Sequence, residues 1–121
     1  MTPEIRRIIV AEAHRRRSGY CPMRLYSLGT GETFDINRTA DGFVDIASGI
    51  GVSTAGNRIL ISGNPSSIDL QMIGDIAFSG YDHISSESFT GRAGGGASVT
   101  IYDRDQKNYF QYAVVTEVLK L

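Results

Sequence analysis

A chain of 121 residues has the length of one domain with a real core and not of two conventional ones, and 41% apolar with 21% charged residues is the balance of a soluble globular protein. No window reaches the ~18 consecutive apolar residues of a membrane helix, and the early run "IIVA" is bounded by charges and shorter than a signal-peptide core of about 7–15 residues, which predicts a cytoplasmic protein. The net charge of −1 conceals a division: residues 1 to 24 hold six Arg against Glu4 and Glu12, a net of +4, while the remainder carries −5, so an acidic body, a second copy and a polyanion are all candidate partners for the basic segment.

Thr2, Pro3 and Glu4 read as a helix start: a hydroxyl able to cap, Pro at the first helical position and an acid in the positive first turn. The helix is predicted to run to about Arg17, with Gly19 as terminator and Arg15, Arg16 and Arg17 at its negative end. Ile5, Ile8, Ile9 and Ala13 recur at helical spacing as one apolar stripe, and Glu12 is placed to pair with Arg16. Arg6 and Arg17 project about 20° apart, with Arg7 and His14 on a neighbouring strip, so the arrangement predicts an accessible basic face opposite the isoleucines.

Cys21-Pro22 then forces extended chain, and everything beyond reads as β. The fold class is mainly β, with an N-terminal basic amphipathic helix (1–19) and a β-hairpin body (23–121) in a single domain. Apolar or aromatic pairs eight residues apart, Tyr26/Phe34, Leu60/Ile68, Tyr81/Phe89 and Tyr102/Phe110, each enclose turn-forming residues and predict four antiparallel hairpins. If the two ends of each pair face one another, their even separation requires odd-numbered loops. Short hairpins are marginal alone, so the four should pool their apolar faces in a small barrel-like assembly, with the helix packed over it or plugging one end. Leu70, Met72, Ile76 and Phe78 alternate with polar residues, Gly74 marking a bulge or bend. Residues 41 to 56 fit as one more hairpin or as a glycine-loosened loop.

Residues 79 to 114, "SGYDHISSESFTGRAGGGASVTIYDRDQKNYFQYAV", repeat a cadence of Tyr-Asp, a Phe-x-Gly strand, a Gly turn, a Ser-Val strand into a second Tyr-Asp, and a Tyr/Phe-rich final strand. In this stretch the chain resembles the bacterial four-fold β-flower proteins. The resemblance implies short hairpins about a pseudo-four-fold axis, similar in spirit to tubby-like β barrels. It implies no established activity and carries over no catalytic residues.

Cys21, His14 and His83 offer a thiol and two bases, yet no spacing links them; Cys21 before Pro at a helix-strand junction reads instead as a small buried hydrophobe, and one cysteine forms neither an internal disulfide nor a cysteine metal cluster. His83 with Asp82, and Asp103 with Asp105, fall short of a metal-ligand set. "SGIGVSTAG" lacks the spacings of dinucleotide or P-loop sites, whereas Arg92 beside Gly94, Gly95 and Gly96 is a candidate anion nest or a plain connection. "NRT" at 37 to 39 is a glycosylation sequon without a secretion signal. The two Tyr-Asp pairs recur at the start of hairpin turns, which predicts turn chemistry for Asp82 and Asp103.

Three functions are compatible with these residues. One is a non-enzymatic bacterial protein that acts by binding, as a homo-oligomer. Another is an anion, nucleotide or nucleic-acid binder using Arg15, Arg16, Arg17, Arg24 and Arg92 with the glycine-rich loops. The third is a small hydrolase or toxin-like enzyme using His83, Asp82 and Cys21. No cofactor or metal is called for.

Overall fold

The structure, a computed structural model, describes residues 1–94 and 96–116. One helix, α1 (Pro3–Ser18), precedes ten strands: β1 (Arg24–Ser27), β2 (Thr33–Arg38), β3 (Gly42–Asp45), β4 (Ile50–Ala55), β5 (Arg58–Ile61), β6 (Ser67–Ile73), β7 (Ala77–Asp82), β8 (Glu87–Ala93), β9 (Ser98–Asp103) and β10 (Asn108–Val115). Each strand pairs antiparallel with its sequence neighbours, and β1 also pairs with β10, so the sheet closes into a barrel with no free edge. Closure removes the unpaired strand edges that would otherwise invite other chains.

The helix termini form as their residues dictate. Thr2 Oγ1 accepts from the Ile5 amide at 3.3 Å, and Gly19, at φ +84°, carries an amide that donates to the Arg15 carbonyl at 2.8 Å. The helix does not lie over the barrel or cap one end of it. Residues 5 to 14 are buried on every face, and α1 packs against strands on opposite sides of the closed sheet, from β3 to β6, β8, β9 and β10. It therefore fills the lumen, where a helix must be enclosed all round. Ile8, Ile9 and Val10 meet inward-facing residues that alternate along the strands, among them Ile68 and Leu70, Val99 and Ile101, and Tyr112 and Val114. Burying one such aliphatic side chain contributes about 1.5–3 kcal/mol.

The four expected hairpins exist, but they belong to a continuous ten-strand meander with further hairpins between them, and their register differs. β3 and β4 form one of these from residues 41 to 56, and Gly74, at φ +65°, sits in the turn between β6 and β7, a bend rather than a bulge. Tyr102 lies opposite Tyr109, Tyr81 opposite Ser88 and Tyr26 opposite Thr33, seven residues apart rather than eight. Three of the loops have an even four residues, 46–49, 83–86 and 104–107. The members of each eight-apart pair do occupy adjacent strands. The one-residue offset sends them to opposite faces, so Tyr81 points outward while Phe89 is buried.

Asp45, Asp82 and Asp103 close β3, β7 and β9 at equivalent points, all fully buried. Asp82 Oδ1 accepts from the Ile84 amide at 2.9 Å, and Asp103 Oδ1 from the Asp105 and Gln106 amides at 3.0 and 3.2 Å. Ser48 and Ser85 hydroxyls donate to Asp45 and Asp82. The fourth loop residue adopts a left-handed conformation each time, at Gly49, Ser86 and Lys107. The Tyr-Asp recurrence is turn construction, as expected.

Two Phe-x-Gly segments make room for the helix. A Cβ on Gly80 would stand 2.5 Å from Phe89 Cζ and 1.9 Å from the Asp69 carbonyl oxygen, and one on Gly91 2.2 Å from Phe78 Cζ. Each ring thus lies over the neighbouring strand's glycine, against the wall instead of in the lumen. Among the described residues no helix is long and apolar enough to cross a membrane.

Candidate functional site

The predicted accessible basic face is not there. Arg6 and Arg7 lie in the lumen and are neutralised by the turn aspartates: Arg6 donates to Asp103 at 2.8 Å, and Arg7 grips Asp45 with Nε and a terminal nitrogen at 3.1 and 2.7 Å. Arg6 stacks over Phe110 at 3.8 Å and Arg7 over Phe34 at 4.1 Å. Burial alone would raise the Asp103 pKa, but the Gln106 amide and the Arg6 guanidinium outweigh it and hold the carboxyl below the usual value. The physical reason is simple: a closed barrel encloses both faces of the helix, so its charges go inward with partners instead of outward to water.

The five arginines singled out from the sequence do not converge. Arg15 and Arg16 donate to the fully buried Glu12 at 2.7 Å each, the second being the pair expected from spacing. Arg16 also reaches the Leu70 carbonyl, and Arg17 donates to the Gly96 carbonyl at 3.2 Å. Arg24 pairs with Asp35 on the outer surface, and Arg92 is exposed on β8. The glycine-rich candidates are strand connections as well. The Gly94 amide donates to the Ser98 carbonyl and Gly96 offers its carbonyl to Arg17, while Gly95 lies outside the described residues. Gly49 and Gly56 are hairpin-turn residues with positive φ.

His83 and Asp82 do not form a catalytic pair. Asp82 points inward to its own turn, whereas His83 Nε2 contacts Asp69 Oδ2 at 2.8 Å on the exposed face, its ring 4.7 Å from that of Tyr81. Cys21 precedes β1 at the opposite end of the barrel from the His83 turn. Burial raises the Cys21 pKa, against the opposing charges of Arg15 and Arg38. Among the described residues no three His, Cys, Asp or Glu side chains gather to hold a metal ion.

One site does emerge at the end of the barrel where the helix exits. A groove of about 750 Å³ runs between residues 19 to 23 and the β2–β3 turn, lined by Arg15, Tyr20, Cys21, Arg38, Thr39, Asp41 and Thr54 among others. The turn is braced by the Thr39 amide donating to the Gly42 carbonyl at 2.9 Å and the Thr54 amide to the Asp41 carbonyl at 3.3 Å. Arg15 is anchored by both oxygens of Glu12 and by Thr54 Oγ1 at 3.5 Å. Arg38 and Asp41 are exposed, without an ion-pair partner among the described residues. Glu12 serves two arginines, so that cluster keeps one positive charge in excess; Arg38 adds a second at the groove wall and Asp41 offsets one, leaving a net +1. The sequence pointed to Arg15 but not to Arg38 or Asp41; within "NRTADG" the turn itself was the signal, since it puts both side chains at one rim.

Comparison with protein-family models, curated proteins and solved structures finds no match to this chain.

Proposed function

We propose that the protein acts by binding, and that its ligand is a small organic anion held in the groove between the helix exit and the β2–β3 turn. The observation that carries this is the excess positive charge there: Arg15, Arg16 and Arg38 against Glu12 and Asp41 leave a net +1, with Arg38 free of an ion-pair partner among the described residues. The dimensions fall in the ordinary range of ligand pockets, roughly 300–1,000 Å³. Binding to the folded state alone should raise the thermal midpoint in a concentration-dependent way. Ribose 5-phosphate and citrate, with pyrophosphate as an inorganic comparison, titrated by thermal shift and calorimetry test this. Arg38→Ser should weaken whichever anion binds without lowering the midpoint of the free protein, because exposed charges contribute little to folding. Anion affinity unchanged by that substitution would remove the groove from consideration.

A second proposal, self-association, is favoured by a different feature. Leu28, Ile46 and Ile84 are exposed on three turns at the opposite end of the barrel, an apolar rim suited to a second copy. Light scattering across a concentration series, with Ile46→Lys as the disrupting variant, separates a dimer from a monomer.

A further inference from the structure

We infer that the groove is built for a nucleoside phosphate. This rests on the organic-anion proposal and narrows it by two groups that a simple anion does not need. The first is Asp41, an exposed acidic residue that lines the same groove as Arg15 and Arg38. An ionised carboxylate only accepts hydrogen bonds, and it repels a bare anion. A ligand that gains from Asp41 must carry hydroxyl or amine donors a short way from its negative group.

The second is Tyr20, which lines the groove with 65% of its surface exposed. Its position is constructed. Gly19 takes the left-handed conformation at φ +84°, which turns the chain across the helix end, and Ser18 Oγ fixes the next peptide by accepting from the Tyr20 amide at 3.1 Å. The ring is thereby presented to solvent instead of to the core. An exposed aromatic face beside cations is the usual platform for a nucleobase, because every base has a π-face to stack. Phosphate for Arg15 and Arg38, ribose hydroxyls for Asp41 and a flat base for Tyr20 is the combination that uses all of the groove's distinctive side chains at once.

Pyrophosphate, ribose 5-phosphate, adenosine and AMP, titrated calorimetrically into the parent, Tyr20→Ala and Asp41→Ala, test the assignment; thermal melts establish that both variants remain folded, as substitutions at exposed positions should. AMP should bind about 5- to 150-fold more tightly than ribose 5-phosphate, and Tyr20→Ala should erase that difference. Asp41→Ala should weaken AMP and ribose 5-phosphate about tenfold while leaving pyrophosphate unchanged or tighter. If AMP binds no better than ribose 5-phosphate, or if either substitution leaves AMP affinity unaltered, the nucleoside assignment is overturned while the organic-anion proposal stands. If none of the phosphates binds, the nucleoside assignment falls, and if citrate fails as well the organic-anion proposal falls with it.

Discussion

Replacing Asp45 by Ala probes whether the helix truly occupies a dry lumen. Arg7 and Asp45 share two hydrogen bonds, with side-chain exposures of 7% and 0%. Removing the carboxylate strands a guanidinium in the barrel, and breaking a buried pair in this way costs about 3–5 kcal/mol. A domain of this size has roughly 5–15 kcal/mol of stability in total, so the loss should be plain in urea titrations followed by circular dichroism. The Arg24–Asp35 pair is an internal control: its separation is 2.8 Å, but its side chains are 52% and 60% exposed. Asp35→Ala should cost under about 1 kcal/mol. Because Asp45 also accepts from Ser48 Oγ at 2.6 Å, Ser48→Ala measures the turn's share separately. The double variant Arg7→Met, Asp45→Ala should be less damaged than the sum of its parts, with a coupling of about 0.5–3 kcal/mol. Equal costs at Asp45 and Asp35 would refute enclosure of the helix.

The other consequences are more direct. Changing Arg15, Arg16 and Arg17 together to Ser should destabilise the fold by several kcal/mol, since it leaves Glu12 buried without either cation, and adding Glu12→Gln should recover part of the loss in the same urea assay. Gly80→Ala should cost at least about 1–3 kcal/mol, because the added methyl meets a backbone carbonyl and the Phe89 ring; a neutral result would mean that β6, β7 and β8 are less closely apposed than described. Burial, and then the charge of Arg17, hold the His14 pKa below its ordinary 6.5, so the folded state keeps the ring neutral where the unfolded chain protonates it. The unfolded state then binds more protons, and stability should fall as pH drops through 6.5 toward the depressed folded value. His14→Leu should flatten that part of the stability profile.

The local grammar of this fold was legible and its closure was not. Thr2, Pro3 and Gly19 set the helix ends through contacts within a few residues, and Asp82 and Asp103 announced their turns, because caps and turns are decided by neighbouring chain. Register escaped because an eight-residue spacing of aromatics fits both a facing pair with an odd loop and a diagonal pair with an even one. The four-residue loops decide for the second, and the side-chain faces follow. The helix misled for a different reason. An isoleucine stripe opposite arginines is the pattern of a surface helix, and nothing within the helix discloses that three strands end in inward-facing aspartates, two of which receive Arg6 and Arg7. Only the ensemble of turns carries that information: Asp45, in a segment that read as either one more hairpin or a loosened loop, completes a set begun by Asp82 and Asp103.

The same non-locality explains why the groove could be seen only in part. Arg15 stood out because it belongs to a run of three arginines, yet that run divides once the helix is enclosed. Successive residues rotate about 100° around the axis, so Arg15, Arg16 and Arg17 reach β4, β6 and the β8–β9 connection respectively. Clustering in sequence thus became dispersal in space. Arg38 and Asp41, inconspicuous in sequence, became neighbours of Arg15 because closure brings the β2–β3 turn beside the helix exit. Glu12 links the two regimes. It fixes Arg15 with both oxygens from inside the lumen, so the guanidinium at the groove rim is already oriented by folding, and the proposed anion would meet a cation that has little side-chain entropy left to lose.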